Sequence, residues 1–353
     1  AHLILYYQLY RETNMSGTNT PRIILGTMTF GLDSTSEASS TVRVRGVENI
    51  KPFLDTFRAH GHNELDTARI YCGGDTETVL GQLPLESFKV ATKVWPTIPK
   101  SHGYEHLSKT LRESLTALKA QKVDIFYLHA PDYTTPFEET VKAVNELYRE
   151  GLFERFGLSN YAAWQVTLIH QLCKQNGYVL PTVYQGMYNA ITRDVARELL
   201  PCLKALNIAF YAYNPIAGGL LSGRYNFEKD VDGGRFDLNT GFGMIYRQRY
   251  WNSLFFDSVK ATEKVSKEHN LTVIETALRW MVHHSDLGPD DGIIIGASSM
   301  GHLEGNLKDL EKGPLPQEVV DALNEAWEHV KVACPSYFKT QESANAVAST
   351  FMK

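Results

Sequence analysis

The sequence predicts an α/β protein built as a single (β/α)8 TIM barrel. Three observations predict it. Eight short apolar runs of strand length recur along the chain, and segments with helical spacing separate them. Strand alternating with helix implies a parallel sheet with helices outside. Eight repeats over about 290 residues suit a closed barrel better than an open sheet, and no linker divides the chain.

The strands are read at Ile23–Leu25, Glu64–Asp66, Val90–Val94, Ile125–His129, Phe156–Leu158, Val183–Gly186, Ala209–Tyr213 and Ile293–Gly296. A helix over 104–121 follows from one apolar stripe, Leu107, Leu111, Leu115 and Leu118. Thr135-Pro136-Phe137-Glu138 opens the next helix with a capping box, and Thr272-Val273-Ile274-Glu275 repeats the box later. Two stretches break the rhythm. Residues 216–252 form a long Gly- and aromatic-rich loop after the seventh strand, and loops of that length are usually functional or disordered. Residues 311–353 hold an extra helix at 317–331 and a polar tail. The predicted organisation is a flexible extension over 1–21, the barrel over 22–338 and a C-terminal tail over 339–353. Met15 reads as a natural start, with residues 1–14 an upstream extension.

Bulk properties narrow the function. The chain has 353 residues, 43% hydrophobic and 21% charged, as in an ordinary globular protein. A net charge of -5 and a pI of about 6.2 argue against a nucleic-acid partner, which recruits Lys and Arg in excess. Cys72, Cys173, Cys202 and Cys334 form no CxxC pair, so neither a disulfide framework nor a metal site is expected, and reduced cytoplasmic thiols are. No apolar run approaches the ~20 residues of a membrane span. The apolar stretch over 3–10 lacks the basic flank and cleavage pattern of a signal peptide.

Chemistry is sought at the carboxyl ends of barrel strands. Asp66 ends the second strand and Tyr71 follows five residues later. Lys93 lies in the third strand and His129 ends the fourth. A tyrosine with a pKa of about 10 is a poor acid at neutral pH. A nearby ammonium favours its phenolate and lowers that value. Lys93 inside a barrel needs a counter-ion, which Asp66 can be. A histidine beside the tyrosine can orient a carbonyl. Such a set can protonate an oxygen that becomes an alkoxide while a cofactor brings hydride to carbon. Taken singly, the Asp is as easily a turn residue, the His a core residue and the Tyr a packing residue.

Taken together, these residues resemble the aldo-keto reductase superfamily. LDTARIYCGGDTETVLG resembles its signature of Asp and Tyr five apart, followed by Glu and a Leu-Gly turn. ATKV, FYLHAPD, GLSNY and VYQGMYNA continue in order. GTMTFG, LPTVYQGMYNAITR, FYAYNPIAGGLLSGRY, GRF, YRQRYW and CPSYF are similar to the aflatoxin-aldehyde and succinic-semialdehyde reductase subfamily, over roughly 22–338. The resemblance implies a catalytic tetrad of Asp66, Tyr71, Lys93 and His129, with Tyr71 as general acid. It implies NADPH or NADP+ as cofactor. Gly26, Thr27, Met28, Asp66, Ser159, Asn160, Gln185 and Tyr213 would lie at the nicotinamide side. Asn214, Leu220, Ser222, Gly223 and Arg224 would cover the pyrophosphate, and Gly296, Ser298, Ser299, His302 and Asn306 would take the 2′-phosphate and adenine. His302 stands where relatives carry Gln or Arg. No G-x-G-x-x-G follows a strand, so the cofactor would lie extended over the barrel mouth.

Trp95, Tyr161, Arg247 and Arg249 are the expected substrate contacts. An aromatic pocket suits a small carbonyl compound. An arginine of YRQRYW would pair with an acidic substrate, as the subfamily resemblance implies. FDLNTGFGM departs from the subfamily pattern and points to secondary metabolism. The subfamily resemblance also implies a homodimer. Two other classes fit the same residues: acid–base isomerisation or dehydration without net reduction, and a low-turnover NADPH sensor.

Overall fold

The structure, a computed structural model, describes residues 20–35 and 41–351. The extension expected over 1–21 lies almost wholly outside the described residues. Eight parallel strands close into a barrel: β1 (Arg22–Gly26), β2 (Glu64–Asp66), β3 (Lys89–Val94), β4 (Val123–Leu128), β5 (Phe153–Ser159), β6 (Pro181–Met187), β7 (Ala209–Tyr213) and β8 (Gly292–Ile295). Each pairs with its sequence neighbours, and β1 pairs with both β2 and β8 to complete the circle. All eight strands read from the sequence are present. β4 ends at Leu128 and β8 at Ile295, so His129 and Gly296 sit just past their strands. β4 and β5 begin earlier than expected, because their lower ends, which include the polar Asp124, Glu154 and Arg155, still pair across the sheet, Val123 with Phe153 and Ile125 with Arg155. A short parallel pair, Phe30–Gly31 with Val44–Arg45, was not legible in the sequence.

Alternation along each strand sorts the side chains into two layers. Ile24, Ala91, Ile125, Tyr127, Val183, Tyr211 and Ile294 fill the barrel interior. Leu25, Leu65, Val94, Phe126, Leu158 and Tyr184 face outward against the helices. Gly157 leaves room for the Tyr127 ring; a Cβ there would lie 2.3 Å from it. The lower interior is plugged by Glu64, which accepts a hydrogen bond from the Tyr211 hydroxyl at 2.9 Å and lies 3.5 Å from Arg155.

The helices are α1 (Val47–Ala59), α2 (Asp75–Leu80), α3 (Tyr104–Leu118), α4 (Phe137–Arg149), α5 (Ala163–Asn176), α6 (Leu199–Ala205), α7 (Gly241–Tyr250), α8 (Ser253–Glu268), α9 (Val273–His283), α10 (Met300–Leu310), α11 (Gln317–Val330) and α12 (Gln341–Phe351). Leu107, Leu111, Leu115 and Leu118 of α3 are buried, as their spacing predicts. Thr272 caps α9 by accepting the Glu275 N–H at 3.1 Å. Glu275 does not return the bond; it pairs with Arg279 and Lys312. The cap expected from Thr135 is absent. Its hydroxyl donates to Asp132 at 2.6 Å, because that carboxylate is the stronger acceptor, and Pro136 stands at the cap without a side-chain bond.

The long loop after β7 is more ordered than its composition suggests. A 3-10 turn (Ala217–Ser222) and α7 enclose Phe236, Tyr246 and Tyr250 in an aromatic cluster of their own. The expected polar tail is likewise corrected. Residues 341–351 are helical, and Ala344 and Val347 pack with Trp95 and Ala130 at the barrel mouth. Among the described residues no helix is long and apolar enough to cross a membrane.

Leu111 is fully buried between the barrel wall and its neighbours. Leu111→Ala is expected to cost about 2–5 kcal/mol in chemical denaturation. A loss under about 1 kcal/mol would contradict the packing described.

Candidate active site

Register brings two polar strand residues close together at the upper end of the barrel. Gly26 pairs with Asp66, Asp66 with Ala91, and Lys93 with Tyr127. Asp66 and Lys93 therefore point inward above the apolar layer. Lys93 Nζ donates to Asp66 Oδ2 at 2.8 Å and to the Thr67 carbonyl at 2.7 Å. Gln185 Nε2 donates to the other carboxylate oxygen at 2.8 Å. An ammonium with no exposed surface is tolerated only with such partners.

Tyr71 opens a short 3-10 turn after β2, with its hydroxyl 3.4 Å from Lys93 Nζ. Burial pushes its pKa well above the usual tyrosine value, and the Asp66 charge adds to the rise. The expectation of a lowered pKa is corrected: burial is the largest influence on the phenol, with the Asp66 charge next, and both act against any pull from Lys93. Burial lowers the Lys93 pKa, with Asp66 opposing that effect. The His129 ring lies edge-on to Tyr71 at 6.0 Å and to Trp95 at 4.8 Å. Burial, then Lys93, holds its pKa well below the usual histidine value, so the ring is neutral at pH 7. Among the described residues His129 Nδ1 has no hydrogen-bond partner.

These groups form the floor of a cavity of about 320 Å³. Gly26, Thr27, Met28, Asp66, Tyr71, Trp95, His129, Asn160, Gln185, Tyr213 and Asn214 line it, together with Ser222, Arg224, Arg249, Gly296, Ser298, His302 and Asn306. Lys93 sits beneath it. Six further residues expected at the site do not line it. Ser159 is buried behind Asn160, whose Nδ2 donates to its hydroxyl at 2.9 Å. Leu220 packs into the loop's aromatic cluster. Gly223 closes the 3-10 turn with φ 72°. Ser299 caps α10 by accepting from the His302 N–H at 3.3 Å. Tyr161 is buried outside the barrel, packed against Phe137. Arg247 turns away, donating to the Phe236 carbonyl at 2.7 Å and covering Trp251.

The sequence reading missed Arg43, Arg235, Lys339 and Val347, which also line the cavity. Lys339 arrives from the segment before α12; its N–H donates to the Asn160 carbonyl at 2.9 Å. Burial and the neighbouring Arg249 push its amine down to about 7. Five cations, Arg43, Arg224, Arg235, Arg249 and Lys339, thus face one carboxylate, Asp66, which Lys93 already engages. Among the described residues no carboxylate lies within ion-pair distance of Arg224, Arg235, Arg249 or Lys339, although the chain as a whole carries a net charge of -5. Gly296 adds a concave element: a Cβ there would meet nothing within 4 Å. A cationic cavity with a helix N-terminus carrying Ser298 and His302 fits a phosphorylated ligand.

Lys93→Met would leave Asp66 buried without its cation. It is expected to destabilise the chain by about 3–5 kcal/mol, and adding Asp66→Asn should recover most of that loss. Thermal melting of the two variants checks this. A single variant as stable as the wild type would contradict the pairing.

A model of the aldo/keto reductase family matches residues 22–328. The chain is 45% identical over 347 residues to aflatoxin B1 aldehyde reductase member 2 of Homo sapiens, covering 93% of each chain. It is 46% identical over 295 residues to an aldo-keto reductase of Pseudocercospora fijiensis, covering 81% of this chain and 99% of that one. The solved glycerol dehydrogenase AKR11B4 from Gluconobacter oxydans superposes with a TM-score of 0.69 at 21% identity, covering 91% of this chain and 98% of that one, a likeness of fold. This chain belongs to the aldo/keto reductase family.

Proposed function

We propose that this chain reduces an aldehyde or ketone to an alcohol, with Tyr71 giving the proton to the carbonyl oxygen. Family membership supports carbonyl oxidoreduction. One observation carries the mechanism: a buried phenol kept protonated at the floor of a cationic cavity, with an ammonium 3.4 Å behind it. When bound, NADPH supplies the hydride that this chain's side chains cannot.

The residues' own roles follow from their chemistry. The Tyr71 hydroxyl and neutral His129 orient the carbonyl oxygen. As negative charge grows on that oxygen, the Tyr71 proton crosses to it. Lys93 then stabilises the phenolate left behind, and Asp66 holds the ammonium ready without reorganisation. Lys93 acts mainly after proton transfer, which agrees with a resting phenol whose pKa is not lowered. Trp95, Met28 and Val347 exclude water from the reacting centre. Asn160, Gln185, Tyr213 and Asn214 would hold the nicotinamide end. Arg224, Ser298, His302 and Asn306 would hold the phosphorylated end, and the Arg224 charge favours NADPH.

Arg249 and Lys339 support a second element of the reading, an acidic carbonyl substrate such as a short semialdehyde. Both cations line the cavity without a carboxylate partner among the described residues. An arginine can take a substrate carboxylate through paired N–H groups.

Loss of NADPH absorbance in the presence of 4-nitrobenzaldehyde or succinic semialdehyde tests the reading. Tyr71→Phe should lower turnover by roughly 10²- to 10⁴-fold while NADPH still binds; undiminished turnover would remove Tyr71 from its role. Arg249→Met should raise KM for the semialdehyde roughly tenfold and leave 4-nitrobenzaldehyde unaffected. Lys339 is protonated below its value of about 7 and neutral above it. KM for the semialdehyde should therefore fall as pH drops from about 8 to about 6. A flat profile would exclude Lys339 from carboxylate binding.

A further inference from the structure

The signature-like segment carries a glutamate that the mechanism above leaves unused. Glu77 has no exposed surface, and it lies in α2 behind the barrel wall. Arg69 Nη1 donates to Glu77 Oε2 at 2.7 Å. Thr92 Oγ1 donates to Glu77 Oε1 at 2.5 Å. Thr92 faces outward from β3 beside Lys93, which faces inward. The Arg69 N–H also donates to the Lys93 carbonyl at 3.2 Å. Arg69 and Glu77 thus stand at the two ends of the loop that carries Tyr71, and both are tied to the strand that carries Lys93.

That loop needs a clamp. Cys72, Gly73 and Gly74 follow Tyr71 with φ of 51°, 64° and 104°, three consecutive residues in the left-handed region. The two glycines take such angles freely, but Cys72 does not, and surrounding contacts must hold it there. The Arg69 guanidinium fills the space over Gly74, where a Cβ would lie 1.9 Å from Nη2. Glycine at 74 therefore lets the guanidinium close the loop. The Glu77 charge also reaches Lys93, where it adds to Asp66 in favouring the ammonium.

We propose that Arg69 and Glu77 are a positioning pair for the proton donor: their ion pair closes the Tyr71 loop and registers it on β3, seating the phenol hydroxyl on Lys93. This rests on Tyr71 being the proton donor. Neither residue lines the cavity, so the pair acts through Tyr71 and the Lys93 behind it and not on a ligand directly.

The test uses the full chain with NADPH and 4-nitrobenzaldehyde. Glu77→Gln combined with Arg69→Gln removes both charges together, which avoids leaving one buried charge unpaired. The double variant is expected to bind NADPH, by fluorescence titration, within about twofold of wild type, and to keep KM for the aldehyde within about threefold, while kcat falls roughly 10- to 100-fold, the loss expected of a small misplacement at the reacting centre. Arg69→Lys, which keeps a cation facing Glu77, should retain most of kcat. A double variant that binds NADPH and turns over at the wild-type rate would overturn the proposal. If the double variant does not fold, Thr92→Val carries the test: kcat should fall about three- to tenfold at unchanged KM, and an unchanged kcat overturns it. Hydrogen exchange over residues 67–77 judges the pair without turnover. Faster exchange confined to that segment in the variants is expected, and unchanged exchange overturns the pair. A wild-type chain that reduces no carbonyl would instead defeat the reading of the site.

Discussion

The Lys93–Asp66 ion pair is the constraint on which the upper half of the barrel depends. An ammonium in a barrel interior has no water to solvate it, so the protein must provide an anion and further acceptors. Asp66, the Thr67 carbonyl and, through the second carboxylate oxygen, Gln185 meet that need. This ties β2, β3 and β6 to one another across the barrel. It also explains the layering. The ion pair sits above Ile24, Ile125 and Val183, which are as apolar as any core, while a second polar plug of Glu64 and Arg155 closes the lower end.

The electrostatics of the mouth follow from that pair. Because Asp66 is spent on Lys93, no carboxylate among the cavity-lining residues is left to neutralise Arg224, Arg235, Arg249 and Lys339. An acidic chain therefore presents a basic cavity, and an anion is the ligand that completes it. The same pairing governs the proton. A free ammonium beside Tyr71 would pull its pKa down and spill the proton before a substrate arrived. In the proposed mechanism, an ammonium already bound to Asp66 leaves the phenol protonated and would become effective once charge appears on the phenolate.

Much of this was legible in the sequence, for physical reasons. Buried parallel strands announce themselves as short apolar runs, and all eight were found. Asp66, Lys93 and His129 drew notice as polar residues at or near the carboxyl ends of barrel strands, but only their joint placement with Tyr71, and the family resemblance, singled them out. Most of the cofactor-side residues came from family resemblance. Other features depend on direction, which composition does not encode. Arg247 and Arg249 are two apart on α7, so they point to different faces, and only Arg249 reaches the cavity. Tyr161 follows the cavity-lining Asn160 directly yet packs outside the barrel. Lys339 and Val347 belong to a polar-looking tail whose helix packs through Ala344 and Val347, one turn apart, too short a stripe to stand out in the sequence. Thr135 failed as a cap because Asp132, three residues earlier, took its hydroxyl.

The central claim is that hydride reaches the carbonyl carbon while the proton comes from Tyr71. Its most direct test follows the hydride. The chain is given 4-nitrobenzaldehyde and NADPH carrying deuterium at both C4 positions of the nicotinamide, and the alcohol is analysed by mass spectrometry. One deuterium on the carbinol carbon in the wild type, with negligible alcohol formed by Tyr71→Phe, is the predicted result. Alcohol without the label, or a Tyr71→Phe variant that still forms labelled alcohol at the wild-type rate, would contradict the account.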